Sequence, residues 1–269
     1  MTSVRGEREK IIGPAGALAV DVGPPHAGAP GSLPVVLVHS LAGNSGHWAA
    51  QLQHLRPHRR AVSLDVRGHG RSEPPRDGDY AITAMAGDVA AVVDALKLAR
   101  FVLVGHSMGG AVALTYAGQH PDRVAGLVMI DPIGDGKQIP PAQGESFLAD
   151  FESNYDSASQ AYWTSIAGPD SSIRQRLLHD LTNTPRKTVV QVLRHVMTFD
   201  PDPALGRYSG PMLSIVTPHN DMPFSLHRLG SGFPYRIVEG TGHWIQLDKP
   251  EVVNRLLDEF LGNKSVSGK

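Results

Sequence analysis

A serine at position 107 has glycine two residues before it and two residues after it, in the segment Gly105-His106-Ser107-Met108-Gly109. The spacing G-x-S-x-G is typical of a tight turn that presents a nucleophilic hydroxyl. An apolar run precedes the motif and an alanine-rich segment follows it, which predicts a strand, a turn and a helix. The N-terminus of that helix favours negative charge beside the serine. This setting indicates that Ser107 is a nucleophile. The alternative is that the segment is a glycine-rich packing turn in which the serine has no chemical role.

A serine hydroxyl reacts only if a base removes its proton, and a carboxylate usually orients that base. His243 lies between glycines and a tryptophan late in the chain, after the last predicted strand, and is the predicted base. Asp221, in the loop after the preceding strand, is the predicted acid because it completes the chain order Ser, Asp, His. A turn-forming role is the alternative for Asp221. Asp131, at the end of an earlier strand, is the competing acid, although we favour a loop-capping role for it.

The elements that must position these residues alternate between short β-branched runs and longer amphipathic stretches. Such alternation is typical of βαβ units and a parallel sheet. Apolar runs predict strands at 35–38, 61–66, 101–104, 124–130, 212–216 and 235–238. Helical spacing predicts helices at 82–98, 108–119 and 250–261.

Strand signals are missing from residues 134–208, where two helical stretches are predicted around 147–166 and 173–199. The sequence therefore predicts a core formed by 11–133 and 209–262, with 134–208 as a helical cap. Open α/β sheets bind ligands at the carboxyl ends of their strands, so the cap is expected to cover the serine. Residues 1–10 and 263–269 are predicted to be flexible ends.

Taken together, these motifs resemble the α/β-hydrolase superfamily, in particular its small capped serine esterases, lactonases and haloperoxidase-like enzymes. The resemblance covers about 35–261 outside the cap, and it rests on Val38-His39, the segment 65–72, the serine motif and Gly240-Thr241-Gly242-His243-Trp244. It implies a doubly wound, mostly parallel sheet with the cap inserted after the sixth strand. It also implies that the loop 65–72 braces the site without taking part in the chemistry.

The oxyanion hole of this family uses backbone N–H groups, and the resemblance carries the two donors onto Leu41 and Met108. Two positions depart from the family pattern. Ser40 stands where the family usually has glycine, and it adds a hydroxyl contact or shapes the turn. Pro218 stands where glycine is common, three residues before Asp221.

Several aromatic side chains could line a substrate pocket. The cap carries an aromatic stripe, and Trp48 and Trp244 lie beside predicted active-site loops. The candidate pocket residues are Ser40, Trp48, Phe151, Trp163 and Trp244. An apolar roof of this kind would suit small hydrophobic substrates. The alternative is that these aromatic residues only pack the interior of the cap and the core.

The predicted activity is hydrolysis of a small carboxylic ester through an acyl-enzyme intermediate, with no metal and no cofactor. The alternatives are a lactonase or carbon–carbon bond hydrolase that uses the same residues, or a ligand-binding protein with little turnover.

Composition points to a small molecule as the partner. The chain has 25 basic and 26 acidic residues, so its charge favours neither nucleic acid nor an anionic membrane. It contains no cysteine, which excludes disulfides, thiolate metal sites and a cysteine nucleophile. Residues 1–10 lack the apolar core of a signal peptide, and a cytoplasmic location is expected.

Overall fold

The computed structural model describes residues 7–24, 31–230 and 232–267. These residues form an eight-stranded sheet in the order β1-β2-β4-β3-β5-β6-β7-β8. Strands β4, β3, β5, β6, β7 and β8 are parallel, whereas β1–β2 and β2–β4 pair antiparallel. The fold is a doubly wound α/β architecture with a mostly parallel sheet, as the sequence predicts.

The strands are β1 (Glu7–Ile12), β2 (Ala17–Val22), β3 (Val35–Val38), β4 (Ala61–Leu64), β5 (Phe101–His106), β6 (Val124–Ile130), β7 (Met212–Val216) and β8 (Tyr235–Ile237). The helices are α1 (Ala49–Leu55), α2 (Ile82–Ala95), α3 (Met108–Gln119), α4 (Pro141–Ser153), α5 (Tyr155–Ile166), α6 (Ser171–Asn183), α7 (Arg186–Met197), α8 (Asp202–Leu205), α9 (Ile245–Asp248), α10 (Pro250–Gly262) and α11 (Lys264–Ser267).

Both faces of the central sheet are covered. The side chains of β3, β5 and β6 are buried along their whole length. On one face they pack with α2 and α3, and on the other with α1 and α10. A strand buried on both faces must be apolar throughout, which is why these strands read as continuous apolar runs rather than alternating ones.

The two ends of the chain differ from the prediction of flexible segments. Residues 7–10 belong to β1, an edge strand whose charged side chains are exposed. An edge strand needs little apolar surface, so its sequence resembles that of a loop. At the other end, α11 buries Val266 completely. The rest of the two predicted flexible ends, residues 1–6 and 268–269, lies outside the described residues.

The cap follows the sixth strand, as the resemblance implies, and its core is the four helices α4–α7. Each of the two predicted helical stretches is divided into two helices. Pro185 precedes α7 and forces Thr184 into an extended conformation, which ends α6. Between α4 and α5 the break is at Asn154.

Polar contacts join the cap helices to the core at three places. The Tyr80 and Thr188 hydroxyls lie 3.0 Å apart in a buried position. Nε2 of His47 lies 2.9 Å from a carboxylate oxygen of Asp180. The third contact is made by backbone at the end of α5 and is described with the site below.

Within the described ranges, no helix combines the length and the apolar character that a membrane crossing requires.

Candidate active site

The turn between β5 and α3 holds Ser107 in a strained backbone conformation, with φ 54° and ψ −120°. Non-glycine residues rarely adopt positive φ, and such strain is often found at functional sites. A Cβ on Gly105 would overlap the carbonyl oxygen of Gly109, and a Cβ on Gly109 would overlap those of Val38 and His39. The motif therefore needs both glycines. Gly105 lies against the backbone of the first turn of α3, and Gly109 brings that turn into contact with the backbone at the end of β3.

The side chain that faces His243 is Asp131. Nδ1 of His243 lies 2.7 Å from Oδ2 of Asp131, and because a carboxylate can only accept, the ring nitrogen is the donor. The other carboxylate oxygen accepts from the backbone N–H of Thr217 at 2.8 Å and from its hydroxyl at 3.1 Å. The Asp131 side chain is 4% exposed and that of His243 is 19% exposed. This arrangement fixes one tautomer of His243 and leaves its Nε2 as a proton acceptor.

The prediction that Asp221 holds His243 is wrong. One oxygen of Asp221 accepts from Nε2 of His227 at 2.9 Å and from Nε of Arg228 at 2.8 Å. The other accepts from Arg228 Nη2 at 2.8 Å. Arg228 first, and His227 second, hold the pKa of the Asp221 carboxyl at about 2.

Sheet order explains why Asp131 reaches the site and Asp221 does not. Asp131 directly follows β6, which is the neighbour of β5, the strand that ends at the serine turn. Asp221 comes five residues after β7, beyond a 3-10 turn at Pro218–Asn220, and its carboxylate binds His227 and Arg228 instead. The chain order Ser, Asp, His is satisfied by both residues, so it does not distinguish them.

His106 supports His243 from the core side. Its Nε2 lies 2.8 Å from the His243 carbonyl oxygen, and the side-chain nitrogen of Gln246 lies 3.1 Å from its Nδ1. Burial lowers the pKa of His106 well below its ordinary value, so the ring stays neutral. A neutral ring adds no positive charge beside His243. The sequence analysis did not predict this role, because nothing in the pattern distinguishes a packing histidine from a supporting one.

The loop 65–72 makes the contacts expected of a brace. Asp65 is fully buried and accepts from the backbone N–H groups of Ser45 and Arg71 at 2.6 and 3.0 Å. His39, which follows β3, accepts at Nε2 from the backbone of Val66 at 3.1 Å. Burial lowers the pKa of His39 to about 4. These contacts fix the β3 loop that carries Ser40 and Leu41.

Leu41 lies in that loop, and Met108 is the first residue of α3. The close approach of Gly109 to Val38 and His39 brings these two segments together. The assignment of their N–H groups as oxyanion donors stays a prediction.

A cavity of about 520 Å³ lies over the site. Ser107, Asp131 and His243 all line it, together with residues of the β7 loop and of α5. The complete lining is Ser107, Asp131, Pro132, Ile133, Tyr162, Ser165, Ile166, Ala167, Thr217, His219, Asn220, Thr241, Gly242 and His243.

None of the five predicted pocket residues lines this cavity. Trp48 packs in the core with α1 and α10, and Trp244 packs in the core beside His243. Phe151 and Trp163 are buried in the interior of the cap, and Ser40 is buried in its loop. Successive helix residues point about 100° apart, so on α5 the cavity receives Tyr162 while its neighbour Trp163 turns inward. The aromatic stripe is therefore mainly cap interior.

The end of α5 also holds the histidine loop. The backbone N–H of His243 donates to the carbonyl of Ile166 at 2.8 Å. The N–H of Gly242 donates to a carboxylate oxygen of Asp248 at 2.8 Å. A Cβ on Gly242 would overlap the backbone of Ala167 and Gly168, so the two segments lie in direct contact.

The chain is similar in sequence to a family of known proteins and to individual known proteins. The family model described as alpha/beta hydrolase fold matches residues 34–161. A protein of Agrobacterium fabrum assigned as the carbamate hydrolase RutD is 30% identical over 85% of this chain and 93% of its own length. The dihydrolipoyllysine-residue acetyltransferase component of an acetoin cleaving system from Pseudomonas putida is 29% identical, and the chain spans 65% of its length.

Among solved structures, Est816, described as an N-acyl homoserine lactone degrading enzyme, superposes with a TM-score of 0.81. It is 25% identical, and the match covers 94% of this chain and all of that one.

Proposed function

Because the chain belongs to the α/β-hydrolase family, we propose that it is a serine hydrolase that cleaves small carboxylic esters through an acyl-enzyme intermediate. The observation that carries the proposal is the 2.7 Å contact between His243 and Asp131, in the same cavity as the strained Ser107. These residue types have the roles of nucleophile, base and orienting acid in acyl transfer.

In the proposed reaction, the Ser107 hydroxyl attacks the ester carbonyl while Nε2 of His243 takes its proton. Asp131 stabilises the imidazolium that forms. The N–H groups of Leu41 and Met108 stabilise the negative charge on the carbonyl oxygen. His243 then returns the proton to the departing alcohol, which leaves Ser107 acylated. A water molecule, deprotonated by His243, releases the acid and restores the serine.

Lactone or carbamate hydrolysis is the second candidate, because the same steps open a lactone ring or release an amine from a carbamate. Similarity to the lactone-degrading Est816 and to the protein assigned as a carbamate hydrolase favours this extension. No specific contact in the cavity favours carbon–carbon bond cleavage or ligand binding without turnover over these hydrolytic reactions.

Covalent labelling with a fluorophosphonate tests the proposal. We expect one equivalent of label on Ser107 and parallel loss of hydrolysis of p-nitrophenyl acetate. Ser107→Ala should lose both, whereas Ser153→Ala, which changes an exposed serine of α4, should behave like the parent. Near-normal hydrolysis by folded Ser107→Ala would refute the nucleophile. Labelling of the parent without hydrolysis of any ester, lactone or carbamate would favour the binding protein.

A further inference from the structure

Tyr162 gives the cap a polar group at the cavity over Ser107. It is one of the cavity-lining residues of α5 and is 37% exposed. The rings of Phe147 and Phe151 lie nearly perpendicular to the Tyr162 ring, with interplanar angles of 76° and 77°. Their centroids are 5.2 and 6.2 Å from that of Tyr162. Aromatic packing therefore fixes the ring, and the hydroxyl is the part that remains available to a bound molecule.

The hydroxyl of Tyr162 is also uncommitted. Among the described residues, no group forms a hydrogen bond with it. Both oxygens of the nearby Asp131 already accept hydrogen bonds, from His243 and Thr217. Burial first, and the Asp131 charge second, raise the pKa of Tyr162 above its ordinary value. The phenol therefore keeps its proton at neutral pH and can act only as an uncharged donor or acceptor.

The other walls of the cavity are polar as well. Thr217, His219, Asn220 and Thr241 line it from the core side, and Ser165 lines it from the cap. The apolar lining residues are small or medium in size, because the large aromatic side chains pack inside the cap instead. Four of the five polar side chains already donate to protein oxygens: Thr217 to Asp131, Asn220 to the Pro132 carbonyl, Thr241 to the Val238 carbonyl and Ser165 to the Tyr162 carbonyl. The Tyr162 hydroxyl and the His219 ring remain to bind a substrate. A long alkyl chain would cover these two groups without replacing their hydrogen bonds to water, which is costly.

We propose that the site selects short substrates that carry a second hydrogen-bond acceptor besides the scissile ester, and that the Tyr162 hydroxyl donates to this acceptor. Tyr162 is thus a specificity-determining residue. The inference rests on the proposed function, since it names the substrate class of the same site. A hydrogen bond made only with oxygenated substrates discriminates them from hydrocarbon analogues of the same shape.

Two pairs of esters that differ only by an ether oxygen in place of a methylene group test the proposal. In the acyl part, p-nitrophenyl methoxyacetate is compared with p-nitrophenyl butyrate. In the alcohol part, 2-methoxyethyl acetate is compared with butyl acetate. For each pair, the ratio of kcat/KM is measured in the parent and in Tyr162→Phe, with the concentration of active protein taken from fluorophosphonate labelling. Comparing ratios between proteins cancels the intrinsic reactivity of each ester.

The matched control is Tyr155→Phe. Tyr155 lies on the same helix, its hydroxyl is buried without a partner, and it does not line the cavity. We expect Tyr162→Phe to lower the ether-to-methylene ratio about 3–10-fold in at least one pair, the value of one hydrogen bond. Tyr155→Phe should leave both ratios unchanged.

The inference is overturned if Tyr162→Phe keeps both ratios of the parent, or if Tyr155→Phe lowers them equally. It is also overturned if the parent hydrolyses other esters but none of these four. Failure of the proposed function gives a different result, because the parent would then hydrolyse no ester, lactone or carbamate at all, whether or not it takes the label at Ser107.

Discussion

Two carboxylate–histidine pairs lie at the carboxyl ends of neighbouring strands, and their surroundings are opposite. Asp131 and His243 are 2.7 Å apart and share a cavity with Ser107. Asp221 and His227 are 2.9 Å apart, but Arg228 binds both oxygens of Asp221. The His227 ring stacks on Tyr235 at 4.4 Å. A short contact between an aspartate and a histidine is thus no sign of catalysis by itself. What matters as well is whether the pair shares a cavity with a nucleophile and keeps atoms free to act on it.

The largest expected difference between the pairs comes from removing each histidine. His243→Ala should lower kcat for p-nitrophenyl acetate by about 10⁵–10⁶, because nucleophile and base act as one unit. His227→Gln should keep activity close to that of the parent. Initial rates normalised to folded protein, as judged by circular dichroism, provide the measurement. Comparable losses of kcat in both variants would show that the two histidines do not differ in their importance for catalysis.

The next largest difference comes from the two acids. Asp131→Asn should lower kcat by about 10⁴, since an amide favours the wrong tautomer of His243. Asp221→Asn should change kcat little. Steady-state kinetics on the same ester rank the two variants, and the reverse ranking would return the catalytic acid to Asp221.

A double variant sharpens this test. Replacing Arg228 by Gln removes two of the three side-chain hydrogen bonds to the Asp221 carboxylate and leaves the one from His227. We expect Asp131→Asn combined with Arg228→Gln to be as inactive as Asp131→Asn alone, because Asp221 still binds His227 and does not line the cavity that holds His243. Recovery of activity in the double variant would show that Asp221 can reach the histidine.

The smallest expected effect is on stability. An unfolded aspartate has a pKa near 3.9, and the folded value of about 2 at Asp221 means that its ionised form stabilises the fold above that range. This stability is lost as the pH falls from about 4 towards 2. Because the ion pair is near the surface, Asp221→Asn should cost about 1 kcal/mol or less at pH 7.

Thermal unfolding of the parent and of Asp221→Asn between pH 7 and pH 2.5 measures that effect. The difference in Tm should be greatest at neutral pH and should shrink below about pH 4. A difference that stays constant with pH would show that Asp221 contributes through packing or hydrogen bonds and not through its charge.

Much of the site could be predicted from sequence because its signals are local. The turn at Ser107 requires glycine at two fixed positions, and His243 is marked by two preceding glycines in a loop before a helix. The central strands could be found because burial on both faces forces apolar runs. The edge strand β1 could not, because its exposed residues are charged.

The acid and the cavity walls depend on contacts between distant parts of the chain. Two aspartates follow strand ends, and only the sheet order and the ion pair with Arg228 separate them. On the cap, the rotation of α5 decides whether Tyr162 or Trp163 faces the substrate. A periodic pattern predicts that a helix has a buried face. It does not say whether an aromatic residue on that face lines the cavity or packs inside the cap.

The backbone contact between α5 and the histidine loop limits how this enzyme scaffold can be rebuilt. Ile166 supplies a carbonyl to the N–H of His243, and Gly168 leaves room for Asp248, the residue that holds Gly242. A cap transplanted from another protein would have to place a backbone carbonyl at the position of Ile166 and a glycine two residues later. Exchange of residues 141–197 as a module should therefore succeed only when the junction after α5 is copied from this chain, whatever the rest of the donor cap contains.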